Sequence, residues 1–257
     1  MGNKKIYFAS DFHLGLDIDF QSSREREILI VEWLDSISDD VAELYLLGDI
    51  FDYWFEYKSG IPKGHEIFLG KLRVLREADI PVYFFTGNHD LWMKSYFEKE
   101  YGIPIYRSPI TKQINDKIFH MGHGDGLGPG DHTYKMMKKV FTNPVCQWAF
   151  SLLPAKVGLG MMRYFSKKSR EKYLDVNEFM GEDKEWLVQY IKAHKELDKV
   201  DYYLFGHRHL TIDHQIKNRS ARYINLGEWI NTRSYAVFDG SDLKIEFFRN
   251  PDGKIYG

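Results

Sequence analysis

Ile6-Tyr7-Phe8-Ala9-Ser10-Asp11-Phe12-His13 is the stretch that decides the fold: an apolar run leads straight into a carboxylate and an imidazole two positions apart. A short run rich in β-formers predicts a buried strand. An extended backbone beyond it would turn Asp11 and His13 to the same side, where both can grip one cation. Leu44 to Leu47 and Val82 to Phe85 repeat the pattern, ending at Gly48-Asp49 and at Gly87-Asn88-His89-Asp90.

Between the first two runs, Ser22 to Ile37 reads as a helix, with Ser22 and Glu25 forming a capping box and Ile30, Leu34 and Ile37 on one face. Gly64 to Ala78 offers a second helix before Pro81. Alternating strands and helices predict parallel strands joined by crossovers, with ligands gathering at the strands' carboxyl ends. In the second half, Asn115-Asp116 reads as a tight turn between Gln113-Ile114 and Ile118 to Met121. Tyr202 to Phe205, Tyr223 to Leu226, Tyr235 to Phe238 and Leu243 to Phe248 read as further strands. The expected architecture is α/β, two packed mixed sheets flanked by helices, in one domain over residues 1–257. Residues 131–180 interrupt it, and Pro144 and Pro154 divide them into short helical pieces, an inserted cap. There is no internal repeat and no low-complexity tract.

Composition narrows the class. A chain of 257 residues, 44% hydrophobic and 28% charged, can bury a substantial core. A net charge of −2 argues against a surface coated in positive charge for nucleic acid, and nothing points to a protein partner. Cys146, the lone cysteine, cannot form an internal disulfide, suits a reducing compartment and is expected as a small buried apolar residue. The apolar stretch Ile6 to Ala9 is too short for a signal-peptide core. The richest apolar segment, Trp148 to Met162, is interrupted by Pro154 and Lys156 and falls short of a membrane span. A cytoplasmic protein is expected, with attachment to the cytoplasmic face of a membrane left open.

Two more motifs complete the pattern, Gly122-His123-Gly124-Asp125 after the hairpin and Gly206-His207-Arg208-His209 after a later strand. Five strand ends thus offer seven candidate ligands: Asp11, His13, Asp49, Asn88, His123, His207 and His209. Neighbouring glycines permit the sharp turns and close approach that a crowded metal site demands. Imidazole, carboxylate and amide oxygen without a thiolate suit divalent manganese, iron or zinc in a reactive site. One Asp-x-His or Gly-Asp after a strand is commonly structural; five such motifs in order are not. His89, beside Asn88, is a candidate to protonate a leaving group, with Asp90 or another carboxylate orienting it. His65, His120, His132, His194 and His214 lack such motif context.

The order Asp-x-His, Gly-Asp, Gly-Asn-His-Asp, Gly-His, Gly-His-x-His resembles the calcineurin-like metallophosphoesterase superfamily from Asp11 to His209. That resemblance implies one ion on Asp11, His13 and His209, a second on Asn88, His123 and His207, and Asp49 bridging them, for phosphoester hydrolysis by activated water. Within the superfamily the chain resembles the UDP-2,3-diacylglucosamine diphosphatases of lipid A synthesis. The added residues are Leu14, Ile50 to Trp54, Gly124 to Leu127, Asp131, Tyr134, Asp175-Val176-Asn177 and Leu226 to Trp229. This second resemblance implies manganese as the usual metal and cleavage of the UDP-sugar lipid to UMP and 2,3-diacylglucosamine 1-phosphate. It also implies substrate contacts from Asn88, Asp131, Tyr134, Arg163, Ser166 and Lys167. The chain departs from those diphosphatases at His89, where they usually carry arginine, and at Gly128, where they usually carry cysteine.

From His132 to Arg170 there are eight Lys or Arg residues and no acidic one, interleaved with Met136, Phe141, Trp148, Leu152 and Phe165 among others. Such a segment attracts anions and can hold acyl chains or meet an anionic bilayer. The plainer alternative packs its apolar face on the catalytic domain beneath a solvated basic face. Two competing functions remain: a phosphoesterase acting on another nucleotide or phosphodiester, and a metal-binding interaction module without activity.

Overall fold

The structure, a computed structural model, describes residues 4–130, 132–171, 178–195 and 197–257. In chain order its elements are β1 (Lys5–Ala9), α1 (Ser23–Ser36), β2 (Val41–Leu47), α2 (Glu66–Glu77), β3 (Val82–Phe85), α3 (Tyr96–Tyr101), β4 (Ile105–Tyr106), β5 (Ile110–Ile114) and β6 (Lys117–Met121). Then follow α4 (His132–Phe141), α5 (Pro144–Ser151), α6 (Ala155–Glu171), α7 (Trp186–Ala193), β7 (Tyr202–Phe205), β8 (Thr211–Gln215), β9 (Arg222–Leu226), β10 (Ser234–Phe238) and β11 (Leu243–Phe247).

Two mixed sheets result, in the orders β11-β10-β1-β2-β3-β4 and β5-β6-β7-β9-β8. Strands β1 to β4 run parallel, because α1, α2 and α3 carry the chain back between them. Phe8, Tyr45, Leu47, Phe119, Leu204 and Ile224 fill the space between the sheets. Trp33, Leu34, Phe68 and Leu72 pack helices on the outer face of the first sheet, and Leu187, Val188 and Ile191 do so on the second. The layers therefore run helix, sheet, sheet, helix, as the strand and helix pattern predicts.

Helix α1 begins as expected: Ser22 Oγ accepts from Glu25 N at 3.2 Å and Glu25 Oε2 accepts from Ser22 N at 2.8 Å. Asn115 takes φ 51° at the turn between β5 and β6. The three helices α4, α5 and α6 are inserted between β6 and β7, and Pro144 opens α5 behind an Asn143 cap. They seat through α4 and α5: Phe150 packs against Phe55 and Trp92 with ring centroids at 5.0 and 4.6 Å, and Trp92 Nε1 donates to Phe141 O at 2.5 Å.

Elsewhere the inserted helices do not bury their apolar residues. Met136, Val145, Trp148, Leu152, Tyr164 and Phe165 are each more than half exposed, which goes against the plainer alternative of an apolar face packed on the catalytic domain. Cys146 is exposed as well, not a buried core residue, because α5 buries none of its side chains.

Candidate metal centre

All seven ligand candidates follow strands β1, β2, β3, β6 and β7, and they meet at one end of the two sheets. The backbone there is not extended. Asp11, His13, Asp49, His207 and His209 have φ of 56°, 48°, 51°, 69° and 52°, so five of the seven sit in the left-handed region. Asp11 and His13 converge because each residue turns the chain, not because a strand alternates. Such residues cost about 1–3 kcal/mol each and persist only where surrounding contacts fix them.

Those contacts are visible. Asp11 N, His13 N and Leu14 N donate to the carbonyls of Gly48, Asp49 and Ile50, each at 3.0 Å, lacing the first two ligand loops together. Arg26 of α1, wholly buried, donates to Phe12 O at 2.8 Å, His13 O at 2.7 Å and Leu16 O at 2.5 Å. Gly48, at φ 89°, is required by proximity: a Cβ there would lie 2.6 Å from His123 Nδ1.

Asp11, His13, Asp49 and His209 each bring one donor atom within 4.8 Å of the others, and so do Asp49, His123 and His207. Asp49 belongs to both of these groups, and a third, His13, Asp52 and His89, adjoins them through His13. Asp11 Oδ1 lies 3.1 Å from His209 Nε2 and 3.8 Å from His13 Nε2, while Asp49 Oδ2 lies 3.3 Å from His123 Nε2 and 4.0 Å from His13 Nε2. Asn88 Oδ1 joins the second group, 3.3 Å from His123 Nε2.

Hydrogen bonds aim the donors. His207 N donates to Asp11 Oδ2 at 3.1 Å and His89 N to Asp49 Oδ1 at 2.8 Å, which turns the other oxygen of each carboxylate toward the imidazoles. His123 Nδ1 lies 2.8 Å from Leu47 O; a carbonyl only accepts, so Nδ1 carries the hydrogen and Nε2 faces the cluster. Burial pushes His13 and His207 down to about 4, keeping them neutral as a ligand must be. Burial also opposes charge on His123, but the Asp49 carboxylate outweighs it and raises the ring to about 10. Asp49 is itself held well below the usual carboxylate range, against burial, by His123 and His89. Buried carboxylates that draw positive charge onto an imidazole form a site where a divalent cation fits.

A family model for calcineurin-like phosphoesterases matches residues 4–210. The chain belongs to this family. A Porphyromonas gingivalis protein named UDP-2,3-diacylglucosamine hydrolase is 34% identical over 94% of this chain and 97% of its own length. An Actinobacillus succinogenes protein of the same name is 26% identical over 94% of this chain and 98% of its own length. Among solved structures, a phosphoesterase from E. coli covers 96% of this chain and 94% of its own at 16% identity, with a TM-score of 0.47.

Around the candidate ligands the structure gives Asp52 a place that the motifs did not reveal. Asp52 follows β2 and faces two rings, with Oδ1 3.5 Å from His13 Nδ1 and 3.7 Å from His89 Nδ1. Its carbonyl and Ser166 Oγ each lie 3.0 Å from His89 Nδ1, and Ser166 donates to Asp52 Oδ2 at 2.9 Å. Asp52, not Asp90, is thus the carboxylate beside His89. Asp90 accepts from Gly87 N at 2.7 Å and Ile50 N at 2.8 Å and ties the second and third ligand loops together; burial and Asp49 raise it to about 7.

The remaining expected substrate contacts are dispersed. Tyr134 OH donates to buried Asp125, which also accepts from Lys138 Nζ at 2.5 Å, and the Tyr134 ring lies 6.5 Å from that of His207. Arg163 Nη2 donates to Tyr53 OH at 3.0 Å. Asp131, the Lys167 side chain and the Asp175-Val176-Asn177 stretch lie outside the described residues. Gly128, at φ 78°, has the Trp186 backbone so close that a Cβ would lie 3.0 Å from its carbonyl carbon, so cysteine does not fit there.

Proposed function

We propose that this phosphoesterase hydrolyses the pyrophosphate of UDP-2,3-diacylglucosamine to UMP and 2,3-diacylglucosamine 1-phosphate, using two divalent cations, manganese in the cell. The observation that carries the hydrolytic reading is that Asp49 is common to both donor groups. The substrate reading is supported by two relatives of that name matched over nearly their whole length. Asp11, His13 and His209 would hold one ion, Asn88, His123 and His207 the other, and Asp49 both. A bound pair of cations neutralises phosphate charge and acidifies water toward neutral pH.

The chain's own groups do the rest. His89 has its Nδ1 side occupied by Asp52 O and Ser166 Oγ, which leaves Nε2 as the ring atom to meet a phosphoryl or leaving oxygen. Asn88, Asp131, Tyr134, Arg163, Ser166 and Lys167 would bind the nucleotide and sugar, Tyr134 and Arg163 from positions fixed by Asp125 and Tyr53. Helices α4, α5 and α6 would form the cap of a single domain, and their exposed apolar side chains would receive the acyl chains.

Each buried methylene contributes about 0.8 kcal/mol, so burial of about four predicts kcat/KM roughly 200-fold higher for the diacylated UDP-sugar than for its deacylated form. With manganese in 18O-labelled water, the label is expected in UMP, the product of attack at the α-phosphorus. Equal turnover of the two sugars would defeat the lipid assignment. A second reading, hydrolysis of a different phosphoester, draws on His89 standing where arginine is usual, and it predicts that equality.

Among the described residues no helix is long and apolar enough to cross a membrane. The basic, apolar insertion instead suits the surface of an anionic bilayer, each Lys or Arg contributing about 1 kcal/mol there. The protein is expected to sediment with phosphatidylglycerol vesicles, less so in high salt, and less again with Trp148→Asp. Sedimentation of the wild type with neutral vesicles as complete as with anionic ones, or equal sedimentation of wild type and Trp148→Asp with anionic vesicles, would overturn this.

A further inference from the structure

His207 and His209 flank Arg208, whose side chain leads away from the metal cluster to a different layer of the fold. Arg208 Nε lies 2.6 Å from Glu185 Oε1, Nη2 lies 3.4 Å from Glu185 Oε2, and Nη2 also reaches Glu178 O at 3.5 Å. Glu185 is completely buried and stands at the N-terminal boundary of α7, without a side-chain capping bond; α7 packs on the second sheet through Leu187, Val188 and Ile191.

The loop that carries Arg208 has unusual demands. Its neighbours on both sides have positive φ, and Arg208 N reaches back to Gly206 O at 2.8 Å. Gly206 is itself tied by its N–H to His123 O at 2.9 Å and by its carbonyl to Asn225 Nδ2 at 2.5 Å. His207 N holds Asp11 Oδ2. The backbone contacts thus anchor the loop's entry, while the Arg208 guanidinium is the polar link between the loop and the helix layer, beside the apolar packing of Leu210 in the cluster that holds Leu187, Val188 and Ile191. A two-pronged guanidinium fixes direction as well as distance, which a lysine ammonium does not.

We propose that the Glu185–Arg208 pair is a positioning device that sets the spacing of His207 and His209 for metal binding. The inference rests on the reading of both histidines as ligands. Partners of this kind, which orient ligands without touching the metal, typically govern affinity or activity by about 10–100-fold. Removing one partner leaves the other charge buried and alone; removing both does not.

The test uses full-length protein stripped of metal, with manganese titrated calorimetrically and unfolding followed in parallel. In Arg208→Lys and in the double variant Glu185→Gln/Arg208→Met, manganese affinity is expected to fall about 10–100-fold. The double variant should nonetheless melt close to wild type, a split that a merely stabilising pair would not produce. At saturating manganese kcat should remain lowered with KM little changed. Wild-type manganese affinity in either folded variant overturns the proposal, and failure of both to fold does so too, by making the pair structural. His209→Ala separates the two readings: unchanged manganese binding there refutes the ligand assignment itself, whereas loss there with none at Arg208 refutes only the positioning role.

Discussion

Asp49→Ala is expected to lower manganese-dependent phosphoester hydrolysis by at least about 10³-fold. The estimate follows from its double membership: residues that merely orient a ligand typically matter by 10–100-fold, and Asp49 supplies a donor atom to both groups of the cluster. Alanine also removes the acceptor for His89 N, at 2.8 Å, and the carboxylate that holds positive charge on His123. Asp49→Asn separates these effects, since it keeps the shape and an acceptor for His89 N while losing the charge. Both variants should bind fewer manganese ions per chain by calorimetry. His89→Ala should instead keep its metal and lose rate, because the ring stands with Asp52 beside His13, outside the two donor groups that share Asp49. Wild-type turnover in Asp49→Ala would refute the shared-ligand centre, and loss of metal in His89→Ala would show that His89 belongs to it.

Most of the architecture is legible in the sequence because it rests on local patterns. The apolar runs of β1, β2 and β3 are buried between layers, the Ser22–Glu25 box starts α1, and Asn115 turns the hairpin. Strand β8 was not expected, since Thr-Ile-Asp-His-Gln lies at a sheet edge where Asp213 pairs with Arg222 and His214 with Glu182. Helix α7 carried a signal that was available, Leu187, Val188 and Ile191 on one face. The seven candidate ligands are legible because their chemistry recurs at successive strand ends. Their conformation is not: a non-glycine residue at positive φ is imposed by distant contacts, and nothing local to Asp11 or His13 announces it. Asp52 was passed over for the same reason, since only the folded chain brings it between His13 and His89.

Arg26 shows how much of the site such contacts carry, and Arg26→Met is expected to destabilise the protein by about 3–5 kcal/mol. In the sequence Arg26 is one more charge on a helix, next to Arg24 and Glu25. In the fold it is fully buried, and its donors satisfy the carbonyls of Phe12, His13 and Leu16, which methionine would strand away from water. A hydrogen bond from a charged donor contributes about 1.5–3 kcal/mol, and the loss is less than the sum because the loop relaxes. For a chain of this size that corresponds to a fall of roughly 6–20 °C in Tm. The same relaxation frees Asp11 and His13 from their left-handed backbone, so manganese affinity should fall even at temperatures where the variant is folded. Arg26→Lys should restore little, because one ammonium does not span three carbonyls that receive separate N–H groups. Thermal unfolding and manganese titration of both variants read the two effects independently. If Arg26→Met melts within about 2 °C of wild type and binds manganese as tightly, the ligand loop is held by its backbone pairing to Gly48 and Asp49 alone.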